Sequence, residues 1–442
     1  MVSRYFYPKH IKIPFMEQIV FTLILLVALG VFAFTLSKII AFFRITKPAY
    51  PVRDIGKRMV MTLQTAFLQD KIFRFPLSGF LHAMVFWGFL TIQFVNLEMV
   101  IDGVFGGSKS LAFLGFFHSF MVGAADVFAW VVAAFVVIFL VRRVVLHVNR
   151  LDGKELKPKN HYDAYIALGL IFVLMVTLMG KNIFYLVSQP ESLAGAFPVS
   201  SLLAPLFSGV SAEGAYMVYK SNWWAHILLV FVFANILPYS KHFHIFVSIP
   251  NVFLSRTEPL GQLSNMEKIQ EEVKLMMNPD TAFAAAPENA APERFGVADV
   301  EDISWKNYID SLACTQCGRC TSVCPANITG KELSPRKLYV DIRRRMNEKG
   351  PGLRKNKDHN DGKMLIRDYI KEEEIWACTT CMACAQECPL NIDHPAFIVD
   401  MRRYLVMEES KAGAELNAMF SNMENNGAPW QYSHEDRLKW TE

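Results

Sequence analysis

Residues 314–325 read CTQCGRCTSVCP, and residues 378–389 read CTTCMACAQECP. Each run spaces its cysteines alike and follows the last with proline: Cys314, Cys317, Cys320, Cys324 and Pro325, then Cys378, Cys381, Cys384, Cys388 and Pro389. These are all eight cysteines of the 442-residue chain. A cubane of iron and sulfide needs a thiolate on each iron. Three cysteines at two-residue gaps wrap three corners of one cube, and the fourth points away to ligate the other. By that rule one [4Fe-4S] cluster takes Cys314, Cys317, Cys320 and Cys388, and the second takes Cys378, Cys381, Cys384 and Cys324. Structural zinc is the competing use, but zinc wants four ligands in two pairs, and each run here offers four cysteines plus the proline. An even cysteine count in a secreted domain would point to disulfides. Clustered thiolates fit a reducing compartment instead.

The spacing is that of bacterial ferredoxins, written twice. The repeat extends past the cysteines: Pro-Ala-Asn-Ile and later Val340 to Arg344 follow the first run, and Pro-Leu-Asn-Ile and later Val399 to Arg403 follow the second. Residues 325–377, 53 in all, separate the runs. Ser334-Pro335 reads as an N-cap with proline at the first helical position, opening a helix to about Met346. Residues 363–375 read as a second helix, and no alternating strand pattern is present. The expected fold class is all-α, with an α-helical ferredoxin domain over 301–410 and a tail over 411–442. The paired arginines, Arg343-Arg344 and Arg402-Arg403, read as solvated helix faces or local salt bridges, with cluster shielding or partner docking as the sharper alternative.

The first 255 residues are of a different kind. Apolar runs near 15–43, 77–101, 113–145, 162–187 and 223–249 are each long enough to cross about 30 Å of hydrocarbon as a helix. The first is too long for a signal-peptide core, and no small-residue cleavage site follows it. The expected organisation is therefore a five-span membrane domain over 1–254, then an amphipathic helix (255–280) and the Ala/Pro-rich linker TAFAAAPENAAPERFG, together 255–300. Basic residues mark orientation. Arg44, Lys47, Arg53, Lys57, Arg58, Lys71 and Arg74 lie between spans 1 and 2, and Arg142, Arg143, Arg150, Lys154, Lys157 and Lys159 follow span 3. The other two loops hold only Lys109 and Lys220. These loops predict a multi-pass protein of the cytoplasmic (inner) membrane with its N-terminus outside and its ferredoxin domain in the cytoplasm. Arg4, Lys9 and Lys12 oppose this weakly. Trp223 and Trp224 read as an interfacial belt, and the 188–222 loop as an outer cap. A net charge of +4, carried mostly by those loops, gives no support for nucleic-acid binding.

Five histidines fall in or beside the spans: His82, His118, His226, His242 and His244. A single membrane histidine is often just hydrogen-bonded to a neighbouring helix, but these pair by depth. His82 and His244 sit near the cytoplasmic ends of spans 2 and 5. His118 and His226 sit near the outer ends of spans 3 and 5. Each leaflet thus offers two imidazoles from different helices, as bis-histidine haem b requires. His226 and His244 lie 18 residues apart, about five turns or roughly 27 Å on one face of a continuous helix. His242 falls roughly 160° away. The expectation is an inner haem on His82 and His244 and an outer haem on His118 and His226, with swapped pairings open.

On these residues the membrane half resembles the cytochrome b subunit of respiratory nitrate reductase, a family with five spans, an outside N-terminus and haem ligands on spans 2 and 5. His82, His226 and His244 match it in helix and depth. Where the family has a second span-2 histidine this chain has Ile92 and Gln93, so His118 is the substitute. The C-terminal third resembles the cluster-bearing subunit of heterodisulfide reductase and the similar domain of glycerol-3-phosphate dehydrogenase. The fusion of the two resembles membrane iron–sulfur oxidoreductases that link electron-transfer flavoprotein to menaquinone. That resemblance implies an oxidoreductase with two [4Fe-4S] clusters, haem b, quinone as substrate, and a cytoplasmic donor such as electron-transfer flavoprotein. Members often continue into Cys-Cys-Gly-rich domains, and a separate subunit is the expected source of that part.

No Gly-rich dinucleotide fingerprint or nucleophile triad is evident. A quinone site beside a haem needs a proton relay, for which Asp126 is the candidate, with Glu98 and Lys181 near the outer surface; a structural hydrogen bond is the alternative for Asp126. Two other functions compete: a quinol-to-thiol, disulfide or sulfite-reduction subunit, and a non-haem anchor that docks a soluble oxidoreductase.

Overall fold

The computed structural model describes residues 14–151, 153, 156, 158–188, 195–278 and 294–442. Among the described residues, five helices are long and apolar enough to cross a membrane: Phe15–Phe42, Pro76–Phe105, Phe116–Val144, Tyr162–Ser188 and Ala212–Tyr239. No strand occurs among the described residues, only the isolated bridges Lys47–Ser304 and Ile366–Ile370. The all-α expectation therefore stands, and a helical dicluster domain follows the five helices. Arg4, Lys9, Lys12, Lys154 and Lys157 lie outside the described residues, as does most of the predicted linker.

Small residues set the helix spacing, as they do where no hydrophobic drive brings helices together in lipid. A Cβ on Gly88 of span 2 would lie 2.6 Å from Val132 of span 3, and one on Gly103 would lie 2.5 Å from the ring of Phe21 in span 1. Phe21 is fully buried and packs on Trp223, Trp224 and Phe231 of span 5. Leu23, Leu26 and Val27 of span 1 are instead exposed, as side chains facing lipid would be.

Span 5 differs from the sequence expectation. Its α-helix runs from Ala212 to Ile236, beginning 11 residues earlier than the apolar run. Ser211 caps it by accepting from the Gly214 amide at 3.1 Å, while Glu213, Lys220 and Asn222 keep the first turns too polar to register as apolar. A 3₁₀ turn follows at Leu237–Tyr239, and Ser240 is extended. Pro238 has no amide to donate and restricts its neighbours, so the chain restarts as a separate helix, His244–Phe253. The arithmetic that set His226, His242 and His244 on one continuous helix does not apply.

Three further readings are corrected. The helix opened by Pro335 continues to Lys355, and the Ser334 side chain bonds Thr321 Oγ1 (2.8 Å) rather than capping it. The helix expected over 363–375 is two short pieces, Leu365–Asp368 and Glu372–Trp376, because Ile366 is extended and Arg367 has φ +81°. The amphipathic helix is confined to Glu267–Met277. Val297, Ala298 and Val300, expected in the linker, are buried in the dicluster core.

That core does not stop at the domain boundary. Phe42, Phe243, Val247 and Val252 pack into the same cluster as Tyr308, Leu338, Ile342 and Met346. Phe42 and Phe43 both stack edge-on against Tyr308. Lys47 exchanges backbone hydrogen bonds with Ile303 (2.8 Å) and Trp305 (2.9 Å). Packed apolar side chains thus dock the dicluster domain on one end of the helical bundle.

Candidate electron-transfer sites

Two cavities hold the cysteines. The first is lined by Cys314, Cys317, Cys320 and Cys388, and the second by Cys324, Cys378, Cys381 and Cys384. Each takes three thiols from one run and the last from the other, the crossed sets that the spacing predicts. The loops reach this shape through left-handed residues at matching places: Gln316 and Gly318 in one run, Thr380 and Met382 in the other. Among the described residues, no three His, Cys, Asp or Glu side chains converge tightly enough to hold a single metal ion. The thiols stand around the cavities instead. Burial pushes Cys314 up to about 11 and Cys388 up to about 12, and raises Cys320 and Cys384 as well. Four crowded, desolvated thiols ionise only with positive charge at their centre, so the donor set fits an iron–sulfur cluster.

The two sites face different surroundings. Cys381 is exposed. The Cys314 site instead lies against the loops of the membrane half. Lys71 Nζ donates to the Cys388 carbonyl (3.3 Å) and to Asn391 Oδ1 (2.6 Å), and Arg150 donates to the Cys317 carbonyl (3.4 Å). Arg74 donates to the Gln386 carbonyl (3.0 Å) and pairs with Glu387 (3.1 Å). A Cβ on Gly318 would lie 2.1 Å from the Arg150 carbonyl oxygen. Its φ of +74° favours glycine there, and this approach excludes a side chain. The two basic loops and the dicluster domain share one end of the bundle.

Of the arginine pairs, Arg344 makes the expected local ion pair with Glu348 (3.1 Å) and Arg403 with Asp400 (2.9 Å). Arg343 and Arg402 do not. Arg343 donates to the carbonyls of Pro238 (3.0 Å) and Ser240 (3.1 Å) at the end of span 5. Arg402 donates to the carbonyl of the cluster cysteine Cys378 (2.6 Å).

His82 and His244 lie near enough to interact electrostatically at this same end. His82 Nδ1 bonds Gln69 Oε1 (3.1 Å), and His244 Nδ1 bonds the Lys241 carbonyl (3.1 Å). An oxygen acceptor fixes the proton on Nδ1 in each ring and leaves Nε2 as a bare lone pair, the state a metal-bound histidine needs. Gln69 is buried and has φ +56°. Sequence reading missed it, because a glutamine 13 residues before a histidine carries no spacing signal. His242 Nδ1 bonds Ser240 Oγ (2.9 Å), and its ring centre stands 6.0 Å from that of His244.

The expected outer pair is not brought together. His226 Nε2 bonds Asn96 Oδ1 (3.0 Å), and its Nδ1 meets the Leu174 carbonyl (2.9 Å) and Thr177 Oγ1 (3.1 Å). His118 Nε2 bonds Glu98 Oε1 (2.8 Å). Asn96 and Glu98 are two residues apart on one helix, about 200° round its axis, so the imidazoles meet different flanks of span 2. Both imidazoles are buried and hydrogen-bonded to protein.

Asp126, the proton-relay candidate, is fully buried. Its carboxylate accepts from Asn182 Nδ2 (3.0 Å), the amides of Val199 (3.0 Å) and Ser200 (2.9 Å), and the Ser200 hydroxyl. Four donors saturate it and pin the loop before span 5. Glu98 likewise accepts from His118, the Leu111 amide (3.2 Å) and Lys109 (3.4 Å), holding the loop between spans 2 and 3. Lys181 is buried with Nζ 3.8 Å from Met99 Sδ.

Comparison with known proteins supports the cysteine sites. The profile of the 4Fe-4S dicluster domain family matches residues 306–389. The chain is 28% identical to a probable iron-sulfur-binding oxidoreductase FadF of Bacillus subtilis, across 96% of this chain and 60% of the relative. It is 28% identical to EtfAB:quinone oxidoreductase of Syntrophomonas wolfei, across 94% of this chain and 58% of the relative. A probable membrane-anchored ferredoxin of Chromohalobacter salexigens is 33% identical over 36% of this chain and 26% of its own length. The chain thus spans about 60% of the first two relatives. No solved structure matches. The chain therefore carries a 4Fe-4S dicluster domain behind five apolar helices, and along most of its length it is similar to iron–sulfur oxidoreductases.

Proposed function

We propose that this chain is the membrane-bound electron-transfer part of an oxidoreductase, passing electrons between a cytoplasmic donor and the quinone pool. One observation carries the reading: the crossed cysteine sites form a chain of positions, one exposed and one docked on the bundle at His82 and His244. Clusters and haem supply one-electron carriers when bound; the protein sets their spacing and potential. Cys324, Cys378, Cys381 and Cys384 would hold the cluster nearer the solvent, and Cys314, Cys317, Cys320 and Cys388 the one nearer the membrane. His82 and His244 would hold haem b through Nε2, oriented by Gln69 and the Lys241 carbonyl. Lys71, Arg74 and Arg150, placed beside the dicluster domain, support its cytoplasmic side by the positive-inside rule. Similarity to an EtfAB:quinone oxidoreductase supports electron-transfer flavoprotein as donor and a quinone as acceptor. Electrons would enter at Cys381 and leave at the bundle.

The test is a combined iron, sulfide and haem count on the purified chain, with spectra before and after quinol. The expected result is two [4Fe-4S] clusters and one haem b whose reduction responds to quinol. A chain without a reduced haem b α-band would act as a non-haem anchor, and one whose haem ignores quinol would have no quinone role.

A further inference from the structure

The two cysteine sites are related by the internal repeat, with positions offset by 64 through Leu390 and by 59 from Ile392 on. Across them Ala326 corresponds to Leu390, Leu333 to Ile392 and Pro335 to His394, each pair lining opposite cavities. The same correspondence sets Arg336, which lines the first cavity, against Pro395, which lines the second. It also sets Arg319, beside Cys320, against Ala383, beside Cys384. Both arginines are buried, at 5% and 2% exposure. Arg319 donates to the carbonyls of Lys71 (2.8 Å) and Ile72 (3.0 Å) and lies over the Phe75 ring (4.7 Å). Arg336 donates to the Arg150 carbonyl (2.7 Å) and reaches the Gln316 carbonyl (3.4 Å). Lys71 and Arg150 complete a cationic collar through the carbonyls of Cys388 and Cys317. Glu387 is the carboxylate on this face, 3.8 Å from Arg319 and shared with Arg74. At the second site Arg402 donates to the Cys378 carbonyl (2.6 Å), one cation against the four gathered at the first.

We propose that Arg319 and Arg336, with Lys71 and Arg150, hold the Cys314 site at a higher reduction potential than the Cys378 site. The proposal rests on the cluster assignment above. Reduction adds one negative charge to a site, and fixed positive charge in a low-dielectric surround favours it. Arginine keeps that charge at any working pH. Water at Cys381 favours reduction at the second site, but it acts on one edge only, whereas the cations surround the first. The collar therefore draws a single electron from the Cys378 site to the Cys314 site. The Cys378 site would lose the electron that the Cys314 site gains, no proton moves, and a reduced flavin of the soluble donor replaces the electron lost. The basic loops that orient the chain would then also direct its current.

An EPR-monitored redox titration of the purified full chain in lipid nanodiscs tests this, with Cys381→Ser marking the second site's signal. Arg319→Gln and Arg336→Gln should each lower one midpoint and leave the other in place. The expected size is at least a tenfold shift of the electron between sites, about 59 mV for a one-electron couple. Arg319→Lys and Arg336→Lys should restore it. Unchanged or equally shifted midpoints, in variants with the unsubstituted iron content, would overturn the proposal. If Arg336→Gln fails to assemble, Arg319→Gln decides. An iron-free unsubstituted chain would instead sink the cluster assignment itself.

Discussion

The two ends of the helical bundle both hold histidines, and they use them in opposite ways. At the end docked to the dicluster domain, His82 and His244 each spend Nδ1 on an oxygen acceptor and keep Nε2 free. At the far end, His226 is bonded through both nitrogens and His118 through Nε2 to a carboxylate. The difference lies in what else is buried nearby. Glu98 and Asp126 at the far end tie the connecting loops, and Glu98, Asn96 and Thr177 take up the two histidines. The docked end has Gln69 and a backbone carbonyl, each able to occupy only one nitrogen. On the proposed haem assignment, the acceptor on each nitrogen, and not depth, is what sets the two ends apart.

This contrast can be broken most severely at the ligands. His82→Ala or His244→Ala should abolish haem b, read as loss of the reduced α-band in purified membranes, whereas His226→Ala should keep the band. Haem loss in His226→Ala alone would reverse the assignment of the two ends. Gln69→Leu should retain haem but weaken it by about 10–100-fold, the usual cost of losing a partner that orients a ligand; haem transfer to apomyoglobin measures this. At the far end, Asp126→Ala strands buried donors and should cost about 1–3 kcal/mol of stability. Its thermal unfolding should shift while its haem content and cluster spectra stay put. The smallest contrast lies between the repeats. Gly318→Ala meets both a positive φ and the Arg150 carbonyl and should cost about 1–2 kcal/mol at least, whereas Met382→Ala should leave thermal stability nearly unchanged.

The repeat made the cysteine sites readable before any coordinates. Eight residues of one type at fixed gaps leave little freedom, and the cavities follow the crossed sets thiol for thiol. The first four spans were readable too, since 20 or more apolar residues leave a helix as the only way to satisfy the backbone in lipid. Span 5 was misplaced because its first turns carry Glu213, Lys220 and Asn222 and its end depends on Pro238 and Ser240. Hydropathy averages over such features.

What the sequence determined by itself is local or strictly periodic: the all-α class, the five apolar helices and the thiol sets. Tertiary structure alone decided how the two halves meet, through Phe42, Phe243 and Tyr308 in one core. It also decided which site lies against the bundle and what each imidazole nitrogen touches. Those contacts join residues up to 320 positions apart, as Lys71 and Asn391 are. No spacing rule spans such a distance, because hydrogen-bond partners and nearby charges are chosen by the packing that brings distant segments together.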